Sequence, residues 1–462
     1  MYYKVSAVAI ALLQITQLAQ ATTTTTNSTS TGTSSNATTT AKTLSKPQDY
    51  WKTFDSKVDP LNIVIPDIPQ TTSYDVNTEC TYYQPPSNFV YNEKEWPTMW
   101  EIATSNGMNT SAEFLALYNS IDWKSAPNIP VRKMNADGSV NMEGYDQNGD
   151  PDCWWSASTC TKPKLPDVNE DIYACPEPET WGLTFDDGPN CSHNAFYDYL
   201  EQQKLKATMF YIGSNVINWP YGAQRGQKAG HHLADHTWSH QLMTTLTNQE
   251  VLAELYYTQK AIKMVTGVTP IHWRPAFGDV DDRVRWIATQ LNLTTVLWNL
   301  DTDDWAAGST KTVDAVKATY NDFVQMGSNG TFANSGQIVL THEIDNTTMD
   351  LAMEYIPKIQ AAYKNILDVA TCMNITHPYQ ETTISFPSFS ANSAVAATDS
   401  SATNSSATNS STTSPSSSGK SDSKASSGSS TAVATAAGTS AGIQLTPNTI
   451  LMTVFAIAAY IF

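Results

Sequence analysis

Thr184-Phe185-Asp186-Asp187-Gly188-Pro189 follows directly on an apolar run, and His236-Thr237-Trp238-Ser239-His240 lies downstream of it. Successive side chains on an extended chain point to opposite sides, so two adjacent carboxylates divide labour: one binds a cation while its neighbour stays free as a base. Gly188-Pro189 forces a turn that holds both at the mouth of a strand. Alone, Asp-Asp-Gly-Pro is an ordinary turn sequence, and an isolated His-x-x-x-His is more often structural than ligating. Together they say more. Two histidines four apart are expected on one helical face, where they share a metal. With Asp187 they form a set of two imidazoles and one carboxylate, which leaves positions open for water and substrate. Amide hydrolysis needs an activated water, a base, an electrophile for the oxyanion and an acid for the departing amine, and these two clusters supply the base and the cation site that serves water and oxyanion.

The elements that must position them alternate in type. Thr180–Phe185, Ala207–Ile212, Thr294–Trp298 and Gln337–Thr341 are predicted strands. His193–Gln203, Asn248–Thr266, Thr310–Gln325 and Met349–Ala370 are predicted helices. Repeated strand–helix units imply an α/β fold of parallel strands, closed into a barrel or wound as a sheet, with the site at the C-terminal strand ends. Residues 46–175 read as an irregular, aromatic and proline-rich extension, with a helix predicted over Ser111–Ile121. The extension either packs over the catalytic domain or adds a sugar-contact surface through Trp154 and Trp155.

Both ends of the 462-residue chain are low in complexity. Residues 1–21 read as a signal peptide: Lys4, the apolar run Val5–Leu18, then Ala19-Gln20-Ala21 as a cleavage site. Residues 22–45 are Thr/Ser-rich and cannot build a core. Residues 377–440 read as a disordered Ser/Thr-rich stalk. Residues 441–462 read as a propeptide for a GPI lipid, with small residues (Ala436, Ala437, Gly438, Ser440) ahead of the apolar tail Thr449–Phe462. Both apolar segments are shorter than a bilayer span requires. The expected location is therefore secreted and GPI-anchored, at plasma membrane and cell wall. A net charge of −18 argues against nucleic acid as a partner. Six cysteines in a secreted chain suggest three disulfides, with Cys153 and Cys160 near enough to close a small loop. Glycosylation sequons stand at Asn27, Asn36, Asn109, Asn190, Asn292, Asn329, Asn346, Asn374, Asn404 and Asn409.

Three further segments complete a pattern: Arg274-Pro275-Ala276-Phe277, Asp301-Thr302-Asp303-Asp304-Trp305 and Leu340-Thr341-His342-Glu343. In order and spacing the five segments resemble the five motifs of the NodB-type polysaccharide deacetylases, carbohydrate esterase family 4, over residues 176–376. With the terminal segments, the chain resembles the wall-anchored chitin deacetylases of fungi, particularly of basidiomycete yeasts. The resemblance implies a distorted (β/α) barrel and hydrolysis of the N-acetyl groups of chitin, giving chitosan and acetate. It implies one divalent ion, zinc or cobalt, held by Asp187, His236 and His240. By the same likeness Asp186 is the general base, Arg274 its partner and His342 the general acid. Asp304 orients the catalytic histidine, Phe277 lends its backbone N–H to the oxyanion, and Trp305 and Leu340 wall the acetyl pocket. We expect a monomer.

The resemblance also implies a Cys175–Cys372 disulfide, which leaves Cys80 for Cys191. This sequence departs from the pattern at three places: Phe277 where many relatives carry Tyr, Gln241 where Pro is frequent, and Glu343 where Asp is frequent. None removes a catalytic group. His193, His231, His232, His272 and His377 have no partner pattern and read as structural or exposed. The same chemistry on acetylated xylan or peptidoglycan is an alternative, and peptidoglycan fits poorly with a GPI anchor. A protein that only binds chitin is another, although a pure binder has no need of a metal set with an acid and a base.

Overall fold

The computed structural model describes residues 47–65, 80, 83 and 85–390. The signal peptide, the Ser/Thr-rich segment, the GPI propeptide, most of the stalk and four sequons (Asn27, Asn36, Asn404, Asn409) lie outside these residues.

The centre is β1, Thr180–Gly188, buried along all its length except at Asp187. It is flanked by β2 (Thr208–Tyr211) and β7 (Gln337–Leu340), both parallel to it, and β8 (Asn365–Leu367) pairs with its first residues. From β2 the sheet continues through β3 (His232–Asp235) and β4 (His272–Trp273) to β5 (Thr294–Thr295). On the other side β7 pairs with β6 (Leu300–Asp301). The two edge strands, β5 and β6, belong to one stretch of chain, which pairs first with β4 and then with β7. Ile172 pairs in between, opposite Val296. The result is the expected distorted, incompletely closed parallel barrel with helices outside. Burial on both faces explains why β1, β2 and β7 read as near-continuous apolar runs.

Some expected boundaries shift. The predicted helix Met349–Ala370 runs instead over Asn346–Ala362, and Tyr363 leads into β8 and a short helix, Val369–Cys372. Thr294–Trp298 is a strand only at its start. The helix Asn248–Thr266 has the expected ends. Thr247 and Glu250 form a capping box before it, and Gly267, at φ 83°, stops it in the left-handed region.

The described residues between 47 and 175 do not form a body of their own. Tyr50, Phe54, Trp96, Phe114 and Leu117 share one hydrophobic core with the barrel. The predicted helix in this region is present as Ala112–Ser120. Trp154 is fully buried and Trp155 is 7% exposed, so neither offers a face to a sugar; the packing alternative is the one the structure supports. The stalk also begins later than residue 377. Tyr379 is buried and its hydroxyl accepts from Leu233 N–H, while Glu381 accepts from both the N–H and the hydroxyl of Thr269. Apolar Tyr379, Ile384 and Phe386 among the polar residues dock this segment on the barrel.

All three expected disulfides are present: Cys80–Cys191, Cys153–Cys160 and Cys175–Cys372. The last joins positions 197 residues apart, a loop length at which the cross-link removes much freedom from the unfolded chain. Asn292, Asn329 and Asn374 are exposed, whereas Asn109, Asn190 and Asn346 are half-buried. Among the described residues no helix is long and apolar enough to cross a membrane.

Candidate active site and metal centre

β1 delivers the two carboxylates. Asp186 is extended and buried, and Asp187 turns into the left-handed region at φ 74°. That change of backbone conformation sends the neighbouring carboxylates to different partners. Asp186 Oδ1 accepts from Arg274 Nη1 at 2.7 Å, and the guanidinium is locked in turn by Thr184 Oγ1 (2.9 Å) and the Leu297 carbonyl (3.2 Å). Arg274 is fully buried, stacked over Phe210 at 4.0 Å. Asp186 Oδ2 faces the other way and stands 3.7 Å from His236 Nε2.

Asp187 Oδ1 lies 3.4 Å from His236 Nε2 and 3.3 Å from His240 Nε2. The two histidines are not on a helix. β3 ends at Asp235, and the chain turns through Thr237 (φ 67°) and His240 (φ 55°), both left-handed, to bring the rings within 5.0 Å of each other. A helical face is therefore the wrong account of their spacing; a loop at a strand end achieves the same convergence. The loop is pinned from behind. Glu254, fully buried on the helix Asn248–Thr266, accepts from Ser239 N–H and Ser239 Oγ, each at 2.8 Å, and from Ala103 N–H of the N-terminal region at 2.8 Å. Burial raises the Glu254 pKa to about 7, against those hydrogen bonds. Sequence reasoning missed this residue, although a lone carboxylate on the apolar stripe of a helix is a legible signal of a buried acceptor.

The set fits a divalent cation. His236 Nδ1 is 2.8 Å from the Arg274 carbonyl, which only accepts, so Nδ1 carries the proton and Nε2 presents a lone pair. That lone pair faces Asp187 Oδ1, a buried oxygen with no hydrogen-bond donor. Lone pairs converging on one point repel unless a cation lies among them. The three ligand atoms all lie within 4.8 Å of one another. Burial opposes charge on Asp187, but His240, His236 and His342 outweigh it and hold the carboxyl well below its usual range. Burial lowers the His240 pKa to about 4 despite Asp187, keeping the imidazole in its ligating form. Asp150, Cys153 and Cys160 also cluster, but their sulfurs are joined in a disulfide and offer no thiolate.

His342 enters from the strand on the other side. Asp186 N–H donates to the Thr341 carbonyl and Glu343 N–H to the Asp186 carbonyl, each at 3.0 Å, which sets Asp186 and His342 side by side. His342 Nδ1 is 2.6 Å from Asp304 Oδ1. Phe277 and Trp305 remain 37% and 43% exposed, whereas Leu340 is buried. The Phe277 ring lies 4.5 Å from that of His240. Glu343 is fully buried, with Oε2 2.8 Å from His193 Nδ1. His193 thus has a structural partner, His231, His232 and His272 are buried away from the set, and His377 is exposed, as read from the sequence.

The arrangement places a carboxylate, an imidazole held by a second carboxylate and a cation-binding set side by side at the strand ends. Residues 173–296 match the Polysaccharide deacetylase family. The chain is 66% identical over 334 residues to a chitin deacetylase of Amylomyces rouxii, covering 72% of this chain and 79% of that protein. It is 47% identical over 324 residues to chitin deacetylase 2 of Cryptococcus neoformans var. grubii, covering 69% and 70%. The solved chitin deacetylase of Colletotrichum lindemuthianum aligns over 47% of this chain and 97% of its own, at 24% identity and a TM-score of 0.43.

Proposed function

This chain belongs to the polysaccharide deacetylase family, and from that premise we propose that it removes the N-acetyl groups of N-acetylglucosamine units in chitin, yielding chitosan and acetate. The observation that carries the reading is the pairing of Asp186 with His342 across one strand junction, beside the set Asp187, His236 and His240. A base and an acid held that close, on either side of a cation set, suit a reaction that takes a proton from water and gives one to an amine.

In this reading Asp187, His236 and His240 hold zinc or cobalt. The ion supplies Lewis acidity towards the acetyl oxygen and towards water. Asp186 accepts the proton of the attacking water, and Arg274 fixes which of its oxygens is free to do so. Phe277 N–H donates to the acetyl oxygen as negative charge develops on it. His342 gives its proton to the nitrogen as the C–N bond breaks, so acetate leaves and a free amine stays on the polymer. Asp304 holds the imidazole in place, and Leu340 with Trp305 bounds the space for the methyl group.

The cell-surface location, the GPI lipid and the monomeric state are further parts of the proposal. The location and the lipid rest on the apolar tail Thr449–Phe462 and the Ser/Thr-rich segment ahead of it. Fully extended, about 55 stalk residues reach at most ~190 Å, enough to hold the enzyme within a wall. The narrower likeness to the enzymes of basidiomycete yeasts rests on the same terminal segments of the sequence. The test is acetate release from chitin oligomers, acetylated xylan and peptidoglycan fragments, with chelator and with zinc or cobalt restored. Release from xylan or peptidoglycan in preference to chitin overturns the substrate, and chitin binding without acetate release overturns the enzyme.

A further inference from the structure

The Cys153–Cys160 loop belongs to the N-terminal region, yet it is built against the turn that carries Phe277. Trp155 N–H donates to the Val280 carbonyl at 3.0 Å. Trp154 Nε1 and Ser156 Oγ both donate to Asp279 Oδ1, at 2.9 and 2.7 Å. The other Asp279 oxygen accepts from Thr244 N–H and Thr244 Oγ1, at 2.8 and 2.7 Å. One fully buried carboxylate therefore ties together the disulfide loop, the chain just after His240 and the Phe277 turn. From the far side Arg285 grips the loop, its Nη1 on the Cys153 carbonyl at 2.5 Å and its Nη2 on the Cys160 carbonyl at 2.8 Å.

The turn itself passes through two consecutive left-handed residues, Phe277 at φ 58° and Gly278 at φ 69°. A phenylalanine does not choose that conformation unaided; it persists where neighbours over-determine it. Trp155 is such a neighbour. A Cβ added at Gly278 would lie 2.6 Å from Trp155 Cε3 and 3.0 Å from its Cη2, so the indole is seated directly on the turn's backbone. Behind it Trp298 packs edge-on at 4.7 Å and also stands 5.5 Å from the Arg274 guanidinium.

We propose that Trp155 and Asp279 are positioning residues for deacetylation: the disulfide-closed loop holds the Phe277–Gly278 turn in the geometry that aims the Phe277 N–H at the acetyl oxygen. This rests on the deacetylase reading above. Both side chains are buried, so neither is offered to substrate. A loop that merely covers apolar surface would, when disturbed, cost stability and leave turnover per folded molecule intact.

A mutant cycle on Trp155 and Gly278 separates the two. kcat and KM for acetate release, bound zinc and the melting temperature are measured for Trp155→Ala, Trp155→Phe, Gly278→Ala and the Trp155→Ala/Gly278→Ala pair. The expected result is a kcat lower by about tenfold to hundredfold in Trp155→Ala, the scale at which small misplacements act, with KM and zinc content unchanged. Trp155→Phe keeps a ring on the turn and recovers most of kcat. Gly278→Ala loses kcat as well, and the pair loses less than the two losses multiplied, because the ring met by the new Cβ is gone. Losses that multiply, or a lower melting temperature with wild-type kcat, overturn the proposal. If Trp155→Ala does not fold, Trp155→Phe and Gly278→Ala against wild type decide it, since wild-type kcat in Gly278→Ala overturns it equally. A wild-type protein that releases no acetate with zinc bound overturns the deacetylase reading first, and this one with it.

Discussion

His342 Nδ1 and Asp304 Oδ1 stand 2.6 Å apart, and the second Asp304 oxygen accepts the His342 backbone N–H at 2.9 Å. One carboxylate thus fixes both ring and main chain and leaves Nε2 facing the site. Burial lowers the His342 pKa, but Asp304, with Asp187 and Asp186 behind it, outweighs burial and raises it to about 10. The acid form therefore persists through neutral pH. Asp304→Asn removes the charge that favours the proton, so the pKa falls. The alkaline limb of the kcat–pH profile is then expected to move to lower pH, with the two enzymes most alike at acid pH. A bound divalent ion lowers the starting value without changing the direction. A limb that stays in place shows that His342 is not the acid.

Asp186 and Arg274 predict a different pattern. Asp186→Asn is expected to lower kcat by about 10²–10⁴-fold, the usual worth of a general base, while zinc content stays at the wild-type level. Arg274→Met leaves the Asp186 carboxylate buried without its partner, and losing one member of a buried pair costs about 3–5 kcal/mol. Urea unfolding checks this, and Asp186→Asn/Arg274→Met should be more stable than Arg274→Met alone. If the pair is no more stable, the two side chains are not coupled in the folded protein.

Much of this site was legible because its chemistry sits on long or distinctive segments. β1 is nine residues of mostly apolar chain ending in two carboxylates, and its pattern survives any reasonable fold. The helix Asn248–Thr266 announces both ends through Thr247, Glu250 and Gly267. β4, β5 and β6 are two residues each, too short for any periodic signal. The helix Pro220–Lys228 is masked by Gly222 and Gly226, poor helix formers that packing overrides. The His236–His240 spacing suggested a helix because helical and loop ligand pairs share it; only the left-handed residues Thr237 and His240 distinguish them. Trp155 and Asp279 act across long sequence separations, which no local pattern reveals.

The cation set makes a prediction independent of turnover. Asp187, His236 and His240 converge their lone pairs only in the folded chain, so a divalent ion such as zinc should bind the folded chain better than the unfolded one. Adding zinc to chelated protein is expected to raise the melting temperature, by about 2.7 kcal/mol of stabilisation at a hundredfold excess over Kd. His240→Ala should abolish that rise and acetate release together. A zinc-dependent rise that survives His240→Ala places the ion elsewhere.

Stability should also depend on three imidazoles remote from the chemistry. Burial, reinforced by Lys206 and Arg225, lowers His231 to about 3. Burial lowers His272 to about 4, and burial together with His272 lowers His232 well below its ordinary range. The unfolded chain takes up these protons near pH ~6.5. Between there and pH ~4 it binds protons that the folded chain refuses, so stability falls as the pH falls. His231 Nδ1 accepts from Ala207 N–H at 3.2 Å, a bond that an asparagine Oδ1 can also make. His231→Asn is therefore expected to fold and to lose less stability between pH 7 and pH 5, by about 2 kcal/mol for a single proton withheld over ~1.5 pH units. Urea unfolding at the two pH values measures it. Equal losses in both proteins would mean that His231 is protonated in the folded state, against its burial beside two cationic side chains.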